Sequence, residues 1–167
     1  QAKARGLLII RRLAICNSEV LLDRLHDVSL AVAEEVSNLR LKVARFAINT
    51  IGDLFSNVKK DMDCEVDSIA QVLLQKMGDS NKFIQEAASK SLGLMVMNVT
   101  PTRAMSALIA IGAQHRNVLV RKCAAEHLLT VVEKMGAKKV LSGTHSSASL
   151  LVYIVGKLAQ DCHPDVR

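Results

Sequence analysis

The sequence predicts an all-α solenoid, a stack of antiparallel helix pairs. Apolar residues recur at helical spacing along most of the chain, and a short motif returns at long intervals. It reads Asn38-Leu-Arg-Leu41-Lys42-Val-Ala44, Asn81-Lys-Phe-Ile84-Gln85-Glu-Ala87 and Asn117-Val-Leu-Val120-Arg121-Lys-Cys123. A last copy, His163-Pro-Asp-Val166-Arg167, closes the chain. The copies lie 43, 36 and 46 residues apart. Each sets a polar residue three positions before an aliphatic one, then a basic or amide residue. Composition agrees: half of the 167 residues are apolar, with three Phe, one Tyr and no Trp. A core of Leu, Val, Ile, Ala and Met suits close packing of helix on helix, and the β-branched residues fall inside longer periodic segments.

Eight helices and the stub of a ninth follow from the periodicity. The first covers 2–15, and Asn17-Ser18 should cap the next. The second, 19–36, carries Leu21, Leu22, Leu25, Val28 and Val32 on one stripe. The third, 39–57, carries Val43, Phe46, Ala47, Ile51, Leu54 and Phe55. The fourth, 63–77, should stop at Gly78, and Asp79-Ser80-Asn81 supply caps for the fifth, 82–97. Pro101 suits the first turn of the sixth, which runs to 113. The seventh, 118–135, ends at Gly136. Residues 137–147 read as a long loop, with Ser146 or Ser147 capping an eighth helix through Leu150, Leu151, Ile154, Val155 and Leu158. The pairs are then about 19–57, 63–97, 101–135 and 146–167, with 2–15 left from a preceding repeat. The whole of 1–167 reads as a single domain, cut through a repeat at both ends.

Lys and Arg outnumber Asp and Glu by 22 to 16, a net charge of +6 that leans toward acidic partners. Cys16, Cys64, Cys123 and Cys162 show no CxxC spacing and read as buried free thiols of a reducing compartment. The longest apolar run, 148–156, is too short to span a bilayer. Leu7-Leu-Ile-Ile10 is too short for a signal-peptide core. No spacing supports a metal site or an activated nucleophile at Cys162-His163 or His145. His127 falls on the apolar stripe of the seventh helix, as a satisfied core histidine would. Glu34-Glu35 reads as a solvated helix end. There is no phosphate loop and no catalytic motif, so neither enzyme nor cofactor is expected.

These helix pairs resemble HEAT repeats. Asp161, Val166 and Arg167 are spaced like the HEAT signature, whose two charges form a ladder between repeats. Asp79 has the same offset to Gln85, His115 to Arg121 and Val36 to Lys42, so the ladder is only partly kept. More narrowly, residues 37–54 are similar to the second repeat of TOG domains of the CLASP and crescerin type, where a "DLRSxVxRxAxxxxxxL" string stands. Leu7-Leu-Ile-Ile-Arg-Arg-Leu13 resembles the helix that closes that family's first repeat. The resemblance implies a flat, paddle-like domain of six repeats that binds tubulin or the microtubule along its intra-repeat loops. Here those loops would be 36–42, 78–85, 114–121 and 161–167. A tubulin-contacting Trp of the family's first loop would fall before residue 1. The resemblance further implies a cytoplasmic, cytoskeletal and for crescerins ciliary setting, in a monomeric domain within a larger array.

Candidate contact residues in those loops are Asn38, Arg40, Lys42, Lys82, Arg116, Arg121, His163 and Arg167. Several also have structural readings. Asn38, Asn81 and Asn117 are natural N-caps, and Lys42, Arg121 and Arg167 stand at the ladder position. Arg40, Lys82 and Arg116 have no evident structural duty. The opposite edge carries Lys59, Lys60, Arg103, Lys138 and Lys139, so charge alone selects neither edge. A scaffold that holds another protein is the alternative. Nucleic-acid binding is the weaker one, because basic residues are spread over both edges and stacking aromatics are scarce.

Overall fold

A computed structural model describes residues 2–136 and 145–167. Among them the chain is helical throughout and has no strand. The elements are α1 (Ala2–Cys16), α2 (Glu19–Leu22), α3 (Leu25–Val36), α4 (Leu41–Val58), a 3-10 segment (Lys59–Glu65), α5 (Val66–Lys76), α6 (Lys82–Asn98), α7 (Pro101–Ala107), a π turn (Leu108–Gly112), α8 (Val118–Met135) and α9 (His145–Ala159).

The helices form two layers. In one, α4 packs between α1 and α6, and α8 follows on α6. In the other, α5 packs between α3 and α7. Each pair (α3 with α4, α5 with α6, α7 with α8) joins the layers. The fold is thus the predicted solenoid. Its core is the shared interior, and helix α4 lies at its centre. Phe55, Ile48, Ile51 and Leu54 of α4 are fully buried, together with Leu73 and Leu74 of α5, Leu92 and Met95 of α6 and Leu108 of the π turn. Helix α9 buries Leu151, Ile154 and Leu158 but leaves Leu150 and Val155 about half exposed.

Local chemistry explains most boundaries. Asn81 and Asn117 cap α6 and α8 by accepting from the backbone N–H two residues on. Pro101 occupies the first turn of α7, and Gly136 takes the positive φ that ends α8. Several expectations are corrected. Ser18 precedes α2 without a side-chain cap. The second helix is broken at Asp23-Arg24, where Arg24 leaves helical geometry (φ −126, ψ 23). The fourth opens as a 3-10 segment, so its α-helical part starts only at Val66. That helix does stop just before Gly78, but without a positive φ there; a Cβ at Gly78 would stand 2.8 Å from the Asn117 side-chain amide.

Helix α7 passes into the π turn, where the Ala113 N–H donates to the Leu108 carbonyl five residues back. Helix α9 starts at His145, so Ser146 and Ser147 lie in its first turn rather than ahead of it. The rest of the expected 137–147 loop falls outside the described residues. Residues 163–166 form a turn, not a helical stub. Three of the four thiols (Cys16, Cys64, Cys162) are exposed, and only Cys123 is buried, its pKa pushed up to about 12 by burial. No helix among the described residues is long and apolar enough to cross a membrane.

Candidate intra-repeat loop edge

Three turns connect the layers along one edge, and a fourth after α9 shares their geometry. Asn38, Asp79, His115 and Asp161 each accept from the backbone N–H two residues on, at 2.9, 2.9, 3.1 and 2.9 Å. Short polar side chains that hold their own backbone in this way build such turns. The position two residues later begins a helix at Arg40, Asn81 and Asn117. At His163 the ring Nδ1 takes the N–H of Asp165, 3.3 Å away.

This geometry corrects the register of the first copy by two residues. Asn38 stands with Asp79 and His115, not with Asn81 and Asn117. Helix α4 therefore starts at Leu41, with Arg40 in the cap position and no side-chain cap. The corrected register aligns the buried columns: Ala47 with Ala88 and Ala124, Ile51 with Leu92 and Leu128, Leu54 with Met95 and Val131. Val43 replaces Leu41 as the counterpart of Ile84, Val120 and Val166. Ala44, not Lys42, occupies the ladder position; Lys42 is an exposed residue of the first turn.

One rung of the ladder is formed. The Nε and Nη2 of Arg121 donate to the Asp161 carboxylate at 2.7 and 3.0 Å, and its Nη1 donates to the carbonyls of His115 and Arg116. The hydrogen bond from Arg121, then that from the His163 N–H, holds the Asp161 carboxyl below its usual range; the same pair raises the Arg121 pKa. Arg121 is thereby committed to the inter-repeat joint. In the previous repeat Gln85 makes the bond within its own turn, donating to the Asp79 carbonyl at 2.6 Å, as Arg121 does to His115. The folded pKa of Asp161 lies below its unfolded value of about 3.9, so its contribution is full above that range and lost as pH falls toward the folded value. An Asp161→Asn variant should show a flatter stability–pH curve below about pH 5, read by chemical denaturation. An unchanged slope would show that the rung does not contribute to acid sensitivity.

Asn38 is also engaged. Its Nδ2 donates to Glu35 at 2.7 Å, and Lys3 donates to the same carboxylate at 2.6 Å, lowering its pKa chiefly through the lysine hydrogen bond. Glu35 is thus a paired carboxylate rather than a merely solvated one. By contrast Arg40, Lys82 and Arg116 are exposed and form no ion pair among the described residues. Arg167 is exposed at the same edge, and His163 is half-buried within its turn.

Sequence reasoning missed the apolar part of this edge. Leu39 is fully exposed, at 100 %, Phe83 is 62 %, Leu41 53 % and Leu119 40 % exposed. Arg45 carries its guanidinium 5.5 Å from the Phe83 ring centroid. The signal was present, since Phe83 and Leu119 fall off the buried stripes, but Leu41 was masked by the mistaken register.

The opposite edge is more occupied. Arg103 donates to the Asp63 carbonyl at 3.2 Å and lies 3.8 Å from Asp67. Thr100 holds the Asp63 carboxylate with both its N–H and its hydroxyl. Lys59 and Lys60 are exposed there, and Lys138 and Lys139 fall outside the described residues. Among the described residues no three potential ligands gather to hold a metal. Burial lowers the pKa of His127, an interior histidine whose Nε2 has no hydrogen-bond partner among the described residues.

The family model described as "CLASP N terminal" matches residues 8–167. A Mus musculus protein named "TOG array regulator of axonemal microtubules protein 1" is 44% identical over 167 residues, which is 100% of this chain and 9% of the mouse protein. The Homo sapiens protein of that name is 47% identical over 115 residues, 69% of this chain and 7% of its own length. "Crescerin-like protein che-12" of Caenorhabditis elegans is 32% identical over 166 residues, 99% of this chain and 13% of its own. The chain therefore spans a small part of the length of these relatives.

Proposed function

The chain belongs to the CLASP N-terminal family of TOG-like helical domains, and on that premise we infer that it binds αβ-tubulin or the microtubule through its intra-repeat loop edge. One observation carries this reading: a row of equivalent turns presents Arg40, Lys82 and Arg116, exposed and without ion pairs among the described residues, while the cations at the ladder and at Asp63 have structural work. The names of the relatives, which speak of regulating axonemal microtubules, support the same partner and a ciliary, cytoskeletal setting.

In this reading the domain is non-catalytic and acts as one binding unit of a larger array. Linked copies would raise the effective concentration of each weak contact. Lys42 and Arg167 contribute cations at the rim, whereas Asn38, Arg121 and His163 serve mainly to hold the turns. Rim charges mostly speed encounter with an acidic surface.

The test is co-sedimentation with microtubules and size-exclusion chromatography with free tubulin. The triple variant Arg40→Glu, Lys82→Glu, Arg116→Glu should lose at least about tenfold in affinity while keeping its melting temperature. Binding unchanged in the triple variant would move the site off this edge. No association of the wild type would leave the protein-scaffold alternative in its place.

A further inference from the structure

Between the starts of α4 and α6 lies a cleft of about 170 Å³, lined by Leu41, Lys42, Arg45, Asn81, Phe83 and Ile84. Its walls are large apolar side chains that the fold does not need to expose. Phe83 and Leu41 are both more than half exposed, although polar residues would serve the first turn of either helix as well. The Arg45 guanidinium stands over the Phe83 ring and so fixes one wall of the cleft.

The charge around the cleft is one-sided. Two cations, Lys42 and Arg45, line it, and no carboxylate does. The neighbouring groove across α1, α4 and α6 differs. There Arg11, Arg45 and Lys90 face Asp53 and Glu86, and Arg11 is paired with Asp53. That groove mixes carboxylates with its cations, whereas the cleft combines an apolar floor with a rim of cations alone, Lys42 and the Arg45 it shares with the groove.

We propose that this cleft is an anchor pocket that receives one apolar side chain projecting from an acidic protein surface, with flanking carboxylates meeting Lys42 and Arg45. The proposal rests on the tubulin reading and deepens it, by adding an apolar anchor to a contact otherwise made of charges. The chemistry follows from the surroundings. An aromatic wall beside an arginine gains most when a partner excludes water from it, the usual setting of a dominant interface residue. Charges at the rim set the encounter rate, while the seated side chain slows dissociation.

The experiment titrates wild type, Phe83→Ala and Phe83→Leu with purified αβ-tubulin at two salt concentrations. Phe83→Ala should weaken binding about tenfold, mainly through faster dissociation. Phe83→Leu should restore most of the loss, and the salt dependence should stay that of wild type because no charge has changed. Phe83 is exposed, so both variants should melt with wild type. If wild type binds and Phe83→Ala binds equally well, the anchor is wrong while the loop-edge reading stands. If wild type does not bind tubulin, both fall together.

Discussion

Replacing Phe55 with Ala is expected to lower the stability of the protein by about 3–5 kcal/mol. Phe55 is fully buried on α4, the helix that packs against α1, α3, the 3-10 segment and α6 at once. Removing the ring deletes apolar contacts in the interior, and close-packed neighbours collapse only partly into the space. Against a total of about 5–15 kcal/mol this is a large share. The thermal midpoint should fall by roughly 6–20 °C for a chain of this size. Phe83→Ala is the internal control. It removes the same ring from an exposed position and should shift the midpoint by little. Equal losses in the two variants would contradict the central place of α4.

Gly112→Val is expected to destabilise the chain by about 1–3 kcal/mol or more, through overpacking instead of a cavity. Gly112 closes the π turn, and a Cβ there would stand 2.5 Å from the Ala124 Cβ and 3.4 Å from Leu74 Cδ1. The first contact cannot be relieved by rotating a side chain, because a Cβ moves only with its backbone. The turn and α8 must separate, and Ala124 belongs to the fully buried alanine column. Gly112→Ala tests the cause more sharply. Paired with Ala124→Gly it should cost less than the sum of the two single changes, since the second removes the atom the first strikes. Additive losses would mean that another contact requires the glycine.

How much of this was legible in the sequence varies with the kind of signal. Helices with local start and stop signals were readable: α8 is bounded by Asn117 and Gly136, α6 by Asn81 and Val99. The break at Arg24 and the π turn were not, because both lie within stretches whose apolar spacing continues smoothly. The candidate edge was readable as four loops, but the first was read two residues out of register. Asn38 to Leu41 and Arg40 to Val43 both fit a polar residue followed three positions later by an aliphatic one. An asparagine serves a turn and a helix cap equally well. Only its observed partners, Glu35 and the Arg40 N–H, place it in the turn.

The sequence by itself determined that the chain is a stack of helix pairs, and it marked the edge on which their loops lie. Periodicity and capping are properties of a few neighbouring residues, so they are written locally. The tertiary structure decided which member of a like pair is core and which is surface. Phe55 is enclosed and Phe83 is open; Arg121 is bound into the joint with Asp161, and Arg116 five residues earlier is left in solvent. Those outcomes depend on what the adjacent repeat places opposite each side chain, and a repeat spacing that varies between 36 and 46 residues hides that register from one-dimensional reading.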